Sequence, residues 1–177
     1  LGVMCSGNGT NFENIVRTCR YDEVVLMVYN KKDCGAWKRA IKYGIPSAYI
    51  SSKDEAKIIN EFKWARVDLI VLAGWMRVIS PNFVESFPNR IINVHPSLLP
   101  KYKGLHAIEQ ALNSGDDITG VTVHYVNNEL DGGEIILQEE VPILPDDSVE
   151  SLTKIIQRKE YYLLPQAIEY VKHQLSQ

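Results

Sequence analysis

The first twelve residues of the chain read Leu-Gly-Val-Met-Cys-Ser-Gly-Asn-Gly-Thr-Asn-Phe, and they decide the fold class. Residues 1–5 are mostly apolar, as expected of a strand that is buried on both faces. Residues 10–19 repeat apolar side chains at helical spacing. Between the two lies a short segment with two glycines, residues 6–11, which we call the glycine loop. The order strand, loop, helix predicts the first β-α unit of a parallel sheet.

The next part of the chain continues this alternation. Further strands are predicted over residues 24–29, 48–50, 68–73 and 91–94, and helices over residues 36–43, 54–64 and 81–86. Ser51 and Ser52 are the candidate capping residues of the 54–64 helix.

The pattern changes after residue 95. A segment rich in Pro and Gly, residues 96–106, which we call the proline loop, precedes a predicted helix over residues 107–113. Two predicted strands, 121–126 and 135–141, follow, and then a long helical region over 148–174 with Pro165 as a candidate break. The sequence therefore predicts an α/β fold, a Rossmann-like and mostly parallel sheet with helices on both faces and an antiparallel C-terminal strand addition.

The composition limits the classes of function. Hydrophobic residues make up 45% of the 177 residues and charged residues 23%, which fits one domain. A net charge of −3 argues against a nucleic-acid partner, and no apolar run approaches the roughly 20 residues of a membrane span. Cys5, Cys19 and Cys34 lack the paired spacing of zinc sites, so we expect no metal but reduced thiols in a cytoplasmic protein. Because the chain starts without Met, we expect part of its first strand to lie upstream.

The glycine loop has the composition of an anion-binding turn. Glycines let ligand oxygens approach the backbone, and a helix start offers N–H groups at its positive end. The loop lacks the Gly-Lys-Ser/Thr of a P-loop, and Phe12 stands where a dinucleotide fingerprint has its third glycine. Two interpretations stay open: a tight turn capped by Thr10 or Asn11, or a single phosphate held by the N–H groups of Gly9, Thr10 and Asn11.

Asn93 and His95 stand two residues apart at the end of an otherwise apolar strand. Period-two geometry turns both side chains to the same side. Because a buried polar group without a partner costs about 1–3 kcal/mol, the two side chains either form hydrogen bonds in the core or line a cleft at the strand end. Pro96 ends the strand at once, which favours the cleft.

Asp131 lies in the turn between the two C-terminal strands, residues 127–133, which we call the Asp131 turn. Asp-Gly is ordinary hairpin chemistry. The alternative is that the turn folds over His95, where a carboxylate would favour the charged ring and orient it. His106 and His124 show no ligand pattern and are interpreted as structural.

Three longer stretches resemble one enzyme family. They are residues 71–80 (VLAGWMRVIS), 92–106 (INVHPSLLPKYKGLH) and 124–138 (HYVNNELDGGEIILQ). Together with the glycine loop, they are similar to the phosphoribosylglycinamide formyltransferases, part of the formyltetrahydrofolate-dependent superfamily, over essentially the whole chain. The resemblance implies transfer of a formyl group from the co-substrate 10-formyltetrahydrofolate to the amine of 5'-phosphoribosylglycinamide in purine biosynthesis, by direct attack through a tetrahedral intermediate.

The resemblance also implies roles for individual residues. Asn93, His95 and Asp131 match the catalytic residues, and Gly9, Thr10, Asn11 and Glu160 match the contacts to the phosphate and ribose of the substrate. The folate site would be formed by a larger set, namely Leu72, Trp75, Met76, Arg77, Val78, Ile79, Val84, Asn127, Asn128, Glu129 and Leu130. We expect a single formyltransferase domain over 1–177, with a phosphate-binding half of about 1–95 and a folate and catalytic half of about 96–177. Its partners would be small molecules, and it would be a monomer or a homodimer.

The chain departs from the family pattern at a few positions, and other functions compete. Trp75 stands where Phe is usual and Lys103 where Pro is frequent, and the chain is shorter near Lys53 than the family pattern. A formyltetrahydrofolate deformylase would use the same Asn, His and Asp with water in place of the amine, and a non-catalytic folate- or nucleotide-binding module is the other alternative. A methionyl-tRNA formyltransferase is disfavoured, since 177 residues leave no room for a basic tRNA-binding domain.

Overall fold

The apolar runs of the chain become strands at the positions that their patterns predict. The structure, a computed structural model, describes residues 1–19 and 23–177. Packing divides the chain into two units, Leu1–Asn93 and Val94–Gln177, and each is described by itself.

The first unit alternates short strands with helices. Its strands are β1 (Gly2–Cys5), β2 (Leu26–Tyr29), β3 (Ser47–Tyr49), β4 (Ile70–Leu72) and β5 (Ile91–His95), which runs on into the second unit. Its helices are α1 (Thr10–Thr18), α2 (Gly35–Tyr43), α3 (Glu55–Trp64) and α4 (Pro81–Ser86). The strands pair in parallel in the order β3-β2-β1-β4-β5. Both β1 and β4 are buried along their whole length, which is why their sequences show no polar alternation.

Local capping chemistry sets where these helices begin. The Asp54 carboxylate accepts a hydrogen bond from the Lys57 N–H at 3.3 Å, so Asp54 caps α3. The prediction of Ser51 and Ser52 as caps was therefore wrong, and the Ser51 hydroxyl instead accepts from the Lys53 N–H within the preceding turn. Ser80 caps α4 in the same way, with Pro81 in its first turn.

The second unit consists of α5 (Ala107–Ser114), β6 (Ile118–Tyr125), β7 (Ile135–Pro142) and α6 (Val149–Leu175). In the sheet order, β6 follows β5 and β7 follows β6, and the pair β6-β7 is antiparallel with a bulge between Val123 and His124. The predicted fold class, a mostly parallel sheet with an antiparallel C-terminal addition, is confirmed.

Helix α6 is continuous, so the predicted break at Pro165 was wrong. Proline removes one backbone donor from a helix and crowds the preceding turn. In α6 this cost is met by packing against β6 and β7, to which the helix presents a buried apolar stripe on both sides of the proline. The buried members are Leu152, Ile156, Leu163, Leu164, Ala167, Ile168 and Val171.

Within residues 1–19 and 23–177, none of the helices combines the length and the apolar character that crossing a membrane requires.

Candidate active site

The glycine loop meets α1 at Gly9, whose backbone is left-handed, with φ 78° and ψ 24°. A Cβ atom at this position would lie 2.5 Å from the Ala36 Cα on α2, so both the conformation and the space require glycine. Gly9 is the N-cap residue, and a glycine has no side chain with which to cap the helix. The N-cap position itself therefore offers no side-chain oxygen to the first N–H groups of α1, which is compatible with anion binding there.

Arg39 on α2 holds this loop in place. Its Nε donates to the Asn8 carbonyl at 2.8 Å, and its guanidinium pairs with Glu13 on α1. Glu13 also accepts from the Tyr43 hydroxyl at 2.7 Å and lies 3.7 Å from the Lys42 Nζ. The loop backbone beside Gly9 is thus tied to both helices, and sequence reasoning did not single out Arg39.

The predicted folate segment of the first unit follows β4 and is joined to the glycine loop through Ser6. The buried Ser6 hydroxyl accepts from the Met76 N–H at 2.9 Å, and the Ser6 N–H donates to the Gly74 carbonyl at 3.0 Å. Leu72 and Ile79 are buried, Trp75 and Val84 are half-buried, and Met76, Arg77 and Val78 are exposed. The segment therefore offers an exposed face that is mainly apolar, with one arginine.

In the second unit, the structure brings His95 and Asp131 together. The His95 Nδ1 lies 3.4 Å from the Asp131 Oδ2, and both side chains are more than nine-tenths buried. The His95 Nε2 lies 2.8 Å from the Tyr102 carbonyl oxygen. Because a carbonyl oxygen only accepts, this ring nitrogen carries a proton and donates it to Tyr102. The Asp131 Oδ2 also accepts from the Gly104 N–H at 2.7 Å.

His124 is the third member of this cluster, and its interpretation as merely structural missed that. Its Nδ1 donates to the Tyr125 carbonyl at 2.9 Å, and its Nε2 lies 3.6 Å from the Asp131 Oδ1. Burial lowers the pKa of His124 below its usual value of 6.5, although the Tyr125 carbonyl and Asp131 oppose this shift. At neutral pH the ring is therefore uncharged, and one carboxylate faces an imidazole on each side.

The pairing of β6 with β7 is irregular next to His124. Val123 pairs with Leu137 but His124 pairs with Ile135, so β7 carries one extra residue at this point. Bulges re-aim side chains next to functional sites. The sequence carried part of this signal: β6 has the buried polar residues Thr119, Thr122 and His124 between apolar ones, two of them at a spacing of two, as Asn93 and His95 are on β5.

The proline loop is fixed by side chains of the β6-β7 hairpin. The Thr122 hydroxyl donates to the Ser97 carbonyl at 2.7 Å and accepts from the Leu99 N–H at 3.2 Å. The Gln138 side-chain amide donates to the Leu99 carbonyl at 2.9 Å. The backbone that carries Tyr102 and Gly104 to His95 and Asp131 is therefore anchored at its start.

The remaining predicted residues lie on exposed or partly exposed parts of the chain. Asn93 is half-buried on β5, in register with Leu72 on β4, and Glu160 is half-buried on α6. The Asp131 turn exposes its four predicted folate residues, Asn127, Asn128, Glu129 and Leu130. Lys103, one of the departures from the family pattern, pairs with Glu129 at 3.2 Å and so ties the proline loop to this turn.

In the part of the chain that the structure describes, no three His, Cys, Asp or Glu side chains are grouped so that they could hold a metal ion.

Comparison with known proteins shows the family to which this chain belongs. Residues 1–168 match the formyl transferase family. The chain belongs to this family. The resemblance noted in the sequence is confirmed.

Individual members of the formyl transferase family are similar over almost the whole chain. Phosphoribosylglycinamide formyltransferase of Escherichia coli is 40% identical over 95% of this chain and 84% of its own length. The trifunctional purine biosynthetic protein adenosine-3 of Drosophila melanogaster is 44% identical over 95% of this chain, which spans only 13% of that longer protein. The crystal structure of glycinamide ribonucleotide transformylase 1 from Symbiobacterium toebii matches with a TM-score of 0.92 and 36% identity, over 97% of this chain and 87% of that one.

Proposed function

We propose that this chain transfers the formyl group of 10-formyltetrahydrofolate to the amine of 5'-phosphoribosylglycinamide, as a cytoplasmic step of purine biosynthesis. The observation that carries the proposal is the buried cluster of His95, Asp131 and His124 within a formyl transferase chain. The names of the similar Escherichia coli and Drosophila proteins support the choice of substrate and pathway.

The chemistry requires a neutral amine, an electrophilic formyl carbon and a route for one proton. The bond from the formyl carbon to the folate nitrogen breaks, the bond to the substrate amine forms, and the amine proton passes to the folate nitrogen. Negative charge develops on the formyl oxygen during attack. Preformed donors aimed at such an oxygen are worth about 10²–10³ in rate each.

The residues of this chain fit these needs. Asn93 has an amide N–H to donate, and a protonated His95 has an Nδ1–H that is not committed to the Tyr102 carbonyl. We assign these two groups to the formyl oxygen. Asp131 faces the same Nδ1, and its carboxylate is the acceptor through which the amine proton moves, directly or through water.

Recognition of the substrate phosphate falls to the glycine loop. The N–H groups of Gly9, Thr10 and Asn11 stand at a helix start whose N-cap residue is a left-handed glycine. Glu160 on α6 would hold the ribose hydroxyls. For the folate, the proposed contacts are residues 72–84 to the pterin and, separately, residues 127–130 of the Asp131 turn.

A spectroscopic folate assay tests the proposal. Purified protein is incubated with 10-formyltetrahydrofolate, with and without phosphoribosylglycinamide, and release of the folate product is followed. We expect release only when the amine is present. Equal release without it would identify a deformylase, and no release in either case would leave a binding module, so both results would overturn the proposal.

A further inference from the structure

Tyr102 has an unusual backbone for an aromatic residue. Its φ is 57°, in the left-handed region that bulky side chains seldom occupy, and Gly104 and His106 in the same loop are also left-handed. A strained conformation of this kind persists only where its surroundings hold it, and such positions cluster at functional sites. The proposed reaction gives Tyr102 no role, so the strain of this residue has another cause.

Asp116 holds the Tyr102 side chain. The Tyr102 hydroxyl donates to the Asp116 Oδ2 at 2.6 Å, and the Lys101 Nζ lies 3.1 Å from the same oxygen. The Asp116 N–H donates to the Ser114 hydroxyl at 3.0 Å, which fixes the carboxylate at the end of α5. The hydroxyl of Tyr102, followed by Lys101, lowers the pKa of Asp116, so the carboxylate is ionised throughout the neutral range.

The consequence lies at the other end of the residue. The left-handed backbone turns the Tyr102 carbonyl toward His95, where its oxygen accepts a hydrogen bond from the Nε2–H, with an N···O distance of 2.8 Å. Two residues later, the Gly104 N–H donates to the Asp131 Oδ2 at 2.7 Å. One short segment therefore orients both members of the His95–Asp131 pair.

We propose that Tyr102 and Asp116 form a clamp that fixes the tautomer of His95. With Nε2 committed to the Tyr102 carbonyl, only Nδ1 is left to face Asp131 and the reacting atoms. Tyr102 and Asp116 are thus positioning residues, which act through His95 and do not touch the substrate. The catalytic part of this inference rests on the proposed function, whereas the tautomer is a property of the protein alone.

The test starts with nitrogen NMR of the unsubstituted, ¹⁵N-labelled protein, recorded at mildly alkaline pH. We expect a protonated Nε2 and an unprotonated Nδ1. A predominantly Nδ1-protonated ring would overturn the clamp whatever the enzyme activity proves to be. Because this measurement needs no substrate, it separates failure of the clamp from failure of the proposed function.

The Tyr102→Phe variant then removes the tether and keeps the ring. We expect a mixture of His95 tautomers, a fall in kcat of about 10- to 100-fold, the range typical of lost orienting partners, and a KM within about twofold of the original. An unchanged spectrum with unchanged kcat would overturn the proposal, as would a change in KM alone.

Two further variants sharpen the test. Asp116→Asn keeps an oxygen that can accept from the Tyr102 hydroxyl, so we expect it to retain the His95 tautomer, whereas Asp116→Ala is expected to lose it. Lys101→Met is the matched control, because Lys101 contacts the same carboxylate but does not tether Tyr102. Its kcat should stay within about twofold, and a loss equal to that of Tyr102→Phe would contradict the clamp. If Tyr102→Phe does not fold, Asp116→Ala decides by the same NMR measurement.

Discussion

The glycine loop and the His95–Asp131 cluster solve different problems with different parts of the polypeptide. The glycine loop is built from backbone: its key residue, Gly9, contributes no side chain, and the groups it leaves available are the N–H groups at the start of α1. The cluster is built from side chains, three buried titratable groups oriented by carbonyl and N–H groups of neighbouring loops. A substitution in the glycine loop should change the backbone shape and therefore KM. A substitution in the cluster should change proton transfer and therefore kcat.

The two regions also differ in what holds them. Arg39 and Glu13 brace the glycine loop by ion pairing at a partly exposed position, where the pair is worth little in water. In the cluster, the bracing contacts come from the proline loop and the bulged strand, and they are buried. The cluster should therefore be more sensitive to a single lost contact than the loop.

The largest effect is expected at Asp131. Asp131→Asn keeps the size of the side chain but removes the group that accepts a proton between two imidazoles, so we expect kcat to fall by about 10²-fold or more. Steady-state kinetics with both substrates measure it. If turnover stayed similar to that of the unsubstituted enzyme, the cluster would be structural and Asp131 would have no role in proton transfer.

The next effect is expected at Gly9 and appears in binding. Gly9→Ala forces a Cβ against Ala36 and a left-handed alanine, a strain of about 1–3 kcal/mol. If the strain distorts the loop, KM for phosphoribosylglycinamide rises about tenfold or more while kcat changes less. Gly7→Ala is the matched control, since a Cβ there meets nothing within 4 Å. Equal KM values for the two variants would contradict the claim that substrate binding depends on the backbone shape of the glycine loop.

A smaller effect is expected at Arg39. Arg39→Met removes the hydrogen bond to the Asn8 carbonyl and the partly exposed ion pair with Glu13. We expect the lost contacts to cost about 0.5–1 kcal/mol of free energy and KM to rise a few-fold. Arg39→Lys should restore part of this loss. Lys42→Met serves as the control, because Lys42 reaches Glu13 but not the loop. If KM rose as much in Lys42→Met as in Arg39→Met, the effect would come from the loss of one positive charge and not from the contact of Arg39 with the loop.

The smallest effect is expected in stability against pH. Burial lowers the pKa of His124 in the folded chain, so the unfolded chain takes up this proton first. The stability that comes from neutral His124 is fully present above about pH 6.5, the usual pKa of histidine. It is lost as the pH falls through the lowered pKa that His124 has in the folded chain. Thermal unfolding of His124→Gln should therefore depend less steeply on pH below 6.5 than that of the parent. An identical slope would show that His124 is not buried in its neutral form.

Most of the strand and helix order could be predicted because each element carries its own local pattern. The apolar runs of β1 and β4 and the Ser80-Pro81 start of α4 are examples. The predicted break at Pro165 was wrong because the tertiary packing of α6 outweighs the local effect of proline. The predicted caps Ser51 and Ser52 were wrong because several polar residues precede α3 and only Asp54 caps it.

The site was predictable where one segment carries it and not where two segments meet. Asn93 and His95 are two residues apart on one strand, so their pattern is local. The contacts of Asp131 with His95 and His124 span 36 and 7 residues of chain and depend on the irregular β6-β7 pairing and on the path of the proline loop. Lys103 illustrates the same limit: its departure from the family pattern was visible, but its pairing with Glu129 was not.

The most direct test follows the formyl carbon itself. The protein is mixed with 10-formyltetrahydrofolate labelled with ¹³C in the formyl group and with phosphoribosylglycinamide, and carbon NMR records where the label goes. We predict a single new formamide signal that accounts for the label lost from the folate and that depends on both substrates. Label recovered as formate, or label that stays on the folate, would contradict formyl transfer to the amine.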